Sequence, residues 1–107
     1  MRRGEIWAVS GAGYGGKPRP AVIVQDDRFD GTASLTICLF TTDETEAPLL
    51  RLVVAPSELN GLRSTSRMMV DKLTTVSKQR FGNRIGCLDD EDMKRLNRAI
   101  LVFLGLA

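Results

Sequence analysis

The stretch AVIVQDDRFDGTASLTICLFTT, Ala21 to Thr42, decides the fold. It opens on an unbroken apolar run, Ala21–Val24, whose lack of alternation predicts a strand buried on both faces. It closes on Ser34–Thr42, dense in β-branched and aromatic residues, which predicts a central strand. The segment DDRFDGTA between them has the Asp and Gly content of a turn. Parallel pairing would need a helical crossover, and no connection in the middle of the chain is long enough for one. The two strands are therefore expected to be antiparallel.

Working outward, Glu5–Val9 is a short strand candidate. Ser10–Pro20 follows, with four glycines and two prolines, and reads as a loop. Downstream, the acidic segment DETEAP, residues 43–48, leads to a strand over Leu49–Ala55 that Pro56 ends. Ser57–Leu62 reads as one helical turn stopped at Gly61. Arg67–Val76 reads as a strand with Met69, Asp71, Leu73 and Thr75 on one side. Lys78–Arg84 is expected to turn, and Ile85–Leu88 to form a short strand. The period then changes. Asp89 or Asp90 caps a helix whose first turn is acidic. Met93, Leu96, Ile100, Phe103 and Leu104 recur at helical spacing, opposite Lys94, Arg95 and Arg98, and Gly105 ends the helix. The fold class expected is mainly β (α+β): a small, strongly curved antiparallel sheet or half-open barrel with one C-terminal helix packed on it.

At 107 residues the chain is expected to form one domain. Its formal charge of +2 names no partner, but Gly61–Arg84 holds six basic residues (Arg63, Arg67, Lys72, Lys78, Arg80, Arg84) against one acid, Asp71. On one face, those charges would attract a polyanion; spread over strand edges, they would only be solvated. Cys38 and Cys87 form no metal-ligand or redox spacing and read as free thiols. The opening MRRGEIWAVS lacks the apolar stretch of a secretory signal, and the longest apolar run, Ala99–Leu104, is too short to span a bilayer. A cytoplasmic protein without a membrane partner is the expectation.

The chain has no histidine, so the usual general acid–base and the commonest metal ligand are missing. GAGYGG, residues 11–16, leads to proline rather than into a helix, so it is not a dinucleotide fingerprint. The acid pairs Asp26/Asp27 and Asp89/Asp90 stand where turns and caps want acids, and no metal or other cofactor is expected. Three sites remain. Arg19 sits between two prolines at the mouth of a buried strand, Thr41 and Thr42 close a second, and Asp71 lies within a third. An arginine fork recognises phosphate bidentately and a threonine hydroxyl adds one bond to it. A carboxylate can orient the arginine, accept a proton, or simply pair with Lys72 or a neighbouring arginine.

The order RRGEIWAV, RPAVIVQDD, ICLFTT, GLRSTSRMMVDKLTTVSKQR and IGCLDDEDMKRLNRAI resembles the MazF/PemK family of toxins, over nearly the whole chain. The resemblance implies an SH3-like barrel with a C-terminal helix, assembled as a homodimer. It implies sequence-selective, metal-independent cleavage of single-stranded RNA by attack of the ribose 2′-oxygen, leaving a 2′,3′-cyclic phosphate and a 5′-hydroxyl. Arg19 matches the family's phosphate-binding arginine, Thr41 its threonine, and Asp71 its acidic residue. Thr42, Arg67 and Lys72 on the neighbouring blocks, with Tyr14 and Lys17 in the first loop, are the expected RNA-binding residues. A cognate antitoxin with an acidic, apolar tail is the implied protein partner. The sequence departs from the family pattern in its glycine-rich first loop and at Thr74, where many members carry a basic residue; the RNA cleavage motif does not carry over. Two other readings stay open: a gyrase-binding toxin of the CcdB type, and a non-catalytic SH3-like RNA-binding module.

Overall fold

The computed structural model describes residues 1–11 and 17–107. Six strands form one antiparallel sheet: β1 (Glu5–Val9), β2 (Arg19–Ile23), β3 (Ser34–Thr41), β4 (Arg51–Val54), β5 (Ser66–Ser77) and β6 (Phe81–Cys87), in the order β4-β5-β3-β2-β1-β6. Helix α1 (Asp90–Phe103) follows. The acid pairs serve turns and caps, as expected: Asp26 accepts from the Arg28 amide ahead of a short 3-10 turn, and Asp89 accepts from the Asp92 amide at 2.8 Å.

Two apolar clusters lie on the two faces of the sheet. Ile6, Val22, Cys38, Phe40, Met68 and Val70 pack with Leu96 of the helix. Val9, Ala21, Ile23, Ile37, Leu39 and Met69 pack on the other side with Trp7 and Phe81. β2 and β3 thus bury both faces, as their apolar runs predict. The described members of the second cluster all belong to strands, so the sheet must curl to bury them. The curl brings β6 to the segment that follows β4, where the Cys87 amide donates to the Leu59 carbonyl at 3.0 Å. Gly61 sits at this seam with φ +68, and a Cβ there would lie 2.3 Å from the Ile85 carbonyl oxygen. The expected helical turn is a single closed turn, in which the Gly61 amide bonds the Ser57 carbonyl at 3.0 Å.

Four expectations change. β2 begins at Arg19 rather than Ala21, because Arg19 and Pro20 pair with Val9 and Ala8 of β1. β4 is shorter than Leu49–Ala55, since Leu49 and Leu50 lie in the turn before it. The turn expected over Lys78–Arg84 is confined to Lys78–Arg80, because pairing with β1 extends the last strand back to Phe81. Finally, Met69 and Leu73 do not share a face: Met69 joins one cluster and Leu73 packs on the other. A bulge is the cause. Cys38 and Phe40 of β3 face Leu73 and Met68 of β5, so β5 carries an odd number of extra residues there and its side chains change sides.

The helix uses less of its apolar stripe than its period predicts. Leu96 is fully buried and Met93 and Ile100 pack on the core, but Phe103 and Leu104 are exposed, with Leu101, Val102 and Leu106. The helix ends in a paired bond set, Leu106 amide to Leu101 carbonyl and Gly105 amide to Val102 carbonyl, with Gly105 at φ +74. No helix among the described residues is long and apolar enough to cross a membrane.

Candidate active site

Arg19 and Thr41 come together through strand register. β2 and β3 pair Ala21 with Leu39, and Arg19 and Thr41 each lie two residues beyond that pair, at the same end of the two strands. Both line a cleft of about 450 Å³. Pro18, Pro20 and Thr42 also line it, together with Leu62, Arg63 and Ser64 from the segment between β4 and β5, Ser66 at the start of β5, and Asn83 and Ile85 of β6. The flanking prolines fix the backbone around Arg19.

Thr41 is oriented for donation. Its Oγ1 accepts a hydrogen bond from the Asp43 amide at 3.1 Å, which leaves the hydroxyl proton to point at a ligand. The described lining residues carry cationic and neutral donors and no carboxylate. Such a surface binds an anion and stabilises negative charge that grows on it. Among the described residues no cluster of acids, cysteines and histidines could hold a metal ion.

The other predicted residues fall elsewhere. Asp71 does not line the cleft. It lies in the β5 bulge, where its carboxylate accepts from Arg51 Nε at 2.9 Å and Nη2 at 3.2 Å. Those two bonds hold its carboxyl below the usual aspartate range. The alternative left open in the sequence, pairing with a neighbouring arginine, is what forms. Arg67 pairs with Thr41 across the ladder, but its guanidinium donates to the Asp43 carbonyl at 3.1 Å and to Glu46 at 3.4 Å. It therefore anchors the acidic loop behind Thr41. Lys72 is exposed on β5, away from the cleft lining, and Lys17 is exposed beside Pro18 at its rim. Tyr14 lies outside the described residues.

The basic segment does not form one patch. Arg63 lines the cleft, Arg84 meets Glu5, Lys78 donates to the Asp30 carbonyl, and Arg80 packs on Gly11. Sequence reasoning counted Arg63 only as part of a basic stretch and passed over Ser64, Ser66 and Asn83. For Arg63, Ser64 and Ser66 the available signal is the polar run RSTSR, residues 63–67, one residue beyond the Gly61 stop. Cys38 is buried, and that burial, with the Asp71 charge nearby, pushes its thiol up to about 12; it is an inert core residue.

Known proteins share this chain's sequence and fold. The chain is 52% identical over 108 residues to a probable endoribonuclease MazF of Mycolicibacterium smegmatis, covering 100% of this chain and 99% of that protein. It superposes with a TM-score of 0.82, at 26% identity, on a mycobacterial endoribonuclease solved in complex with its cognate antitoxin, covering 100% of this chain and 97% of that one. The Mycobacterium tuberculosis toxin MazF-mt6 shares the fold, with a TM-score of 0.81 at 22% identity over 96% of this chain and 98% of that one. A family model for the PemK-like, MazF-like toxin of type II toxin–antitoxin systems matches residues 2–104. With the arginine and threonine of the resemblance now facing one cleft, the chain belongs to the PemK-like, MazF-like toxin family of type II toxin–antitoxin systems.

Proposed function

We propose that this chain is an endoribonuclease toxin that cuts single-stranded RNA, with sequence selectivity, by metal-independent phosphoryl transfer. The observation that carries the reading is the pairing of Arg19 with a donor-oriented Thr41 in one cleft. The ribose 2′-oxygen forms a bond to phosphorus, the bond from phosphorus to the 5′-oxygen breaks, and a 2′,3′-cyclic phosphate and a 5′-hydroxyl result. The 2′-hydroxyl gives up a proton and the leaving 5′-oxygen gains one. Arg19 stays protonated at any ordinary pH, so it stabilises charge on the phosphate oxygens rather than moving protons. Thr41 donates to the same phosphate and holds it in line. Asp71, engaged by Arg51, holds β4 against β5 and is not assigned the base. Thr42 and Lys17 border the path of the RNA.

The partners follow the same reading. The solved relative in complex with its cognate antitoxin supports an antitoxin partner. The exposed apolar end of the helix, Leu101 to Leu104 with Leu106, supports a homodimer in which a second copy covers it.

The test is incubation of the purified chain with a long single-stranded RNA in EDTA, beside Arg19→Ala, with mapping of the cut ends. Discrete cuts bearing cyclic phosphate, lost in Arg19→Ala while RNA binding persists, are the expected result. Binding without cutting by folded wild type on several RNAs would replace the nuclease reading with that of a binding module.

A further inference from the structure

A buried asparagine and an exposed arginine near the cleft have no part in the chemistry above. Asn60 is 4% exposed. Its Oδ1 accepts from the Ser57 amide at 2.9 Å and the Leu62 amide at 3.0 Å, and its Nδ2 donates to the Ala55 carbonyl at 2.9 Å. Ser57 Oγ accepts from the Asn60 amide at 3.1 Å in return. The path from Ala55 to Leu62 is thereby locked, and Leu62 is seated in the core. On the far side, Ser66 Oγ donates to the Ser64 carbonyl at 2.9 Å. Arg63 lies between these two fixed points.

Arg63 is exposed and lines the same cleft as Arg19 and Thr41. Other arginines have acids: Arg51 has Asp71, Arg67 has Glu46, Arg84 has Glu5 and Arg95 has Asp92. Arg63 makes no hydrogen bond or ion pair among the described residues. A cation held on a pinned loop, facing a cavity and left without an acid, is pre-organised for an anion from outside, because the loop's ordering is already done before binding.

We propose that Arg63 is a second phosphate-binding cation of the cleft, presented by the Asn60-locked loop, and that it takes a backbone phosphate flanking the one at Arg19. This rests on the RNA reading of the cleft. It assigns Arg63 to substrate binding and Asn60 to positioning, and neither to the chemical step. Arg63 lines the cleft from the segment after β4 and Arg19 from β2, so two separate elements each bring one cation to the same cleft.

The experiment separates the proposal from the nuclease reading. Wild type, Arg63→Ala, Arg63→Lys and Arg19→Ala are titrated with a 2′-O-methyl copy of the RNA, which lacks the attacking hydroxyl, across a salt series. Each is also assayed for cleavage of the unmodified RNA. Arg63→Ala is expected to bind roughly tenfold more weakly and to flatten the log–log salt slope by about 0.7, the share of one single-strand phosphate. Arg63→Lys restores the slope. In cleavage, Arg63→Ala raises KM with kcat unchanged, whereas Arg19→Ala loses kcat. Wild-type affinity and slope in Arg63→Ala overturn the proposal while leaving the nuclease reading intact, and a fall in kcat alone overturns the flanking-phosphate assignment. A flattened slope in a protein that cuts no RNA supports the phosphate site and removes the nuclease reading. Absence of binding by wild type removes both.

Discussion

Replacing Asn60 with alanine tests whether the cleft wall is a locked element. The side chain makes three hydrogen bonds: from the Ser57 and Leu62 amides and to the Ala55 carbonyl. Each contributes about 1 kcal/mol net, and a buried group left without a partner costs about 1–3 kcal/mol. The Leu62 amide is the buried one of the three, so its loss weighs most. Asn60→Ala should therefore destabilise the chain by about 3–4 kcal/mol. Ser57→Ala removes only the bond to the Asn60 amide and should cost about 1 kcal/mol. Urea unfolding at one fixed protein concentration, with a common m-value, reads both differences. An Asn60→Ala protein within about 0.5 kcal/mol of wild type would refute the locked loop, because the three bonds together would then be worth less than one ordinary hydrogen bond. Equal losses in the two variants would place the stabilising contact in the Ser57 hydroxyl instead.

Three further outcomes follow from the geometry. Gly61→Ala must adopt φ +68 and place its Cβ 2.3 Å from the Ile85 carbonyl, whereas Gly105→Ala, at φ +74, meets only open space. Gly105→Ala should lose about 1–2 kcal/mol and Gly61→Ala clearly more; equal melting temperatures in the two would show that the β6 seam does not close as described. Asp71→Asn should cost about 1 kcal/mol at pH 7, since the pair is partly exposed. Arg51 lowers the folded-state pKa of Asp71, so the pair's contribution is complete above the unfolded value near 3.9 and disappears as pH falls through the lower folded value. The gap between wild type and Asp71→Asn should thus narrow from pH 6 to pH 3, and a gap independent of pH would count against the pair. Thr41→Val keeps the shape but removes the donor, so RNA cleavage should slow by about a hundredfold with the urea midpoint unchanged, while Thr41→Ser retains most of the rate. Full activity in Thr41→Val would remove the hydroxyl from the mechanism.

Much of this protein is determined within short windows of its sequence. The apolar run Ala21–Val24 reads as a strand covered on both faces, and the change of period after Leu88 as an amphipathic helix, capped by Asp89 or Asp90 and stopped at Gly105, with the structure selecting Asp89. These follow from side-chain spacing and local hydrogen bonding, which need no distant partner. The Arg19 and Thr41 candidates were also legible, since a cation at a strand mouth and hydroxyls at a strand end are local anomalies. Tertiary structure alone decided which of those groups meet. Register between β2 and β3 put Arg19 and Thr41 at the same end of the sheet, on one cleft, while the β5 bulge switched the strand's faces and gave Asp71 to Arg51, twenty positions earlier in the chain. It also closed the sheet at Gly61 and Ile85, so that Arg63 and Asn83 line the same cleft as Arg19. Register, bulges and seams are set by pairings between segments far apart in sequence, where a slip of one residue reverses every side chain, and no window of sequence contains both partners of such a pairing.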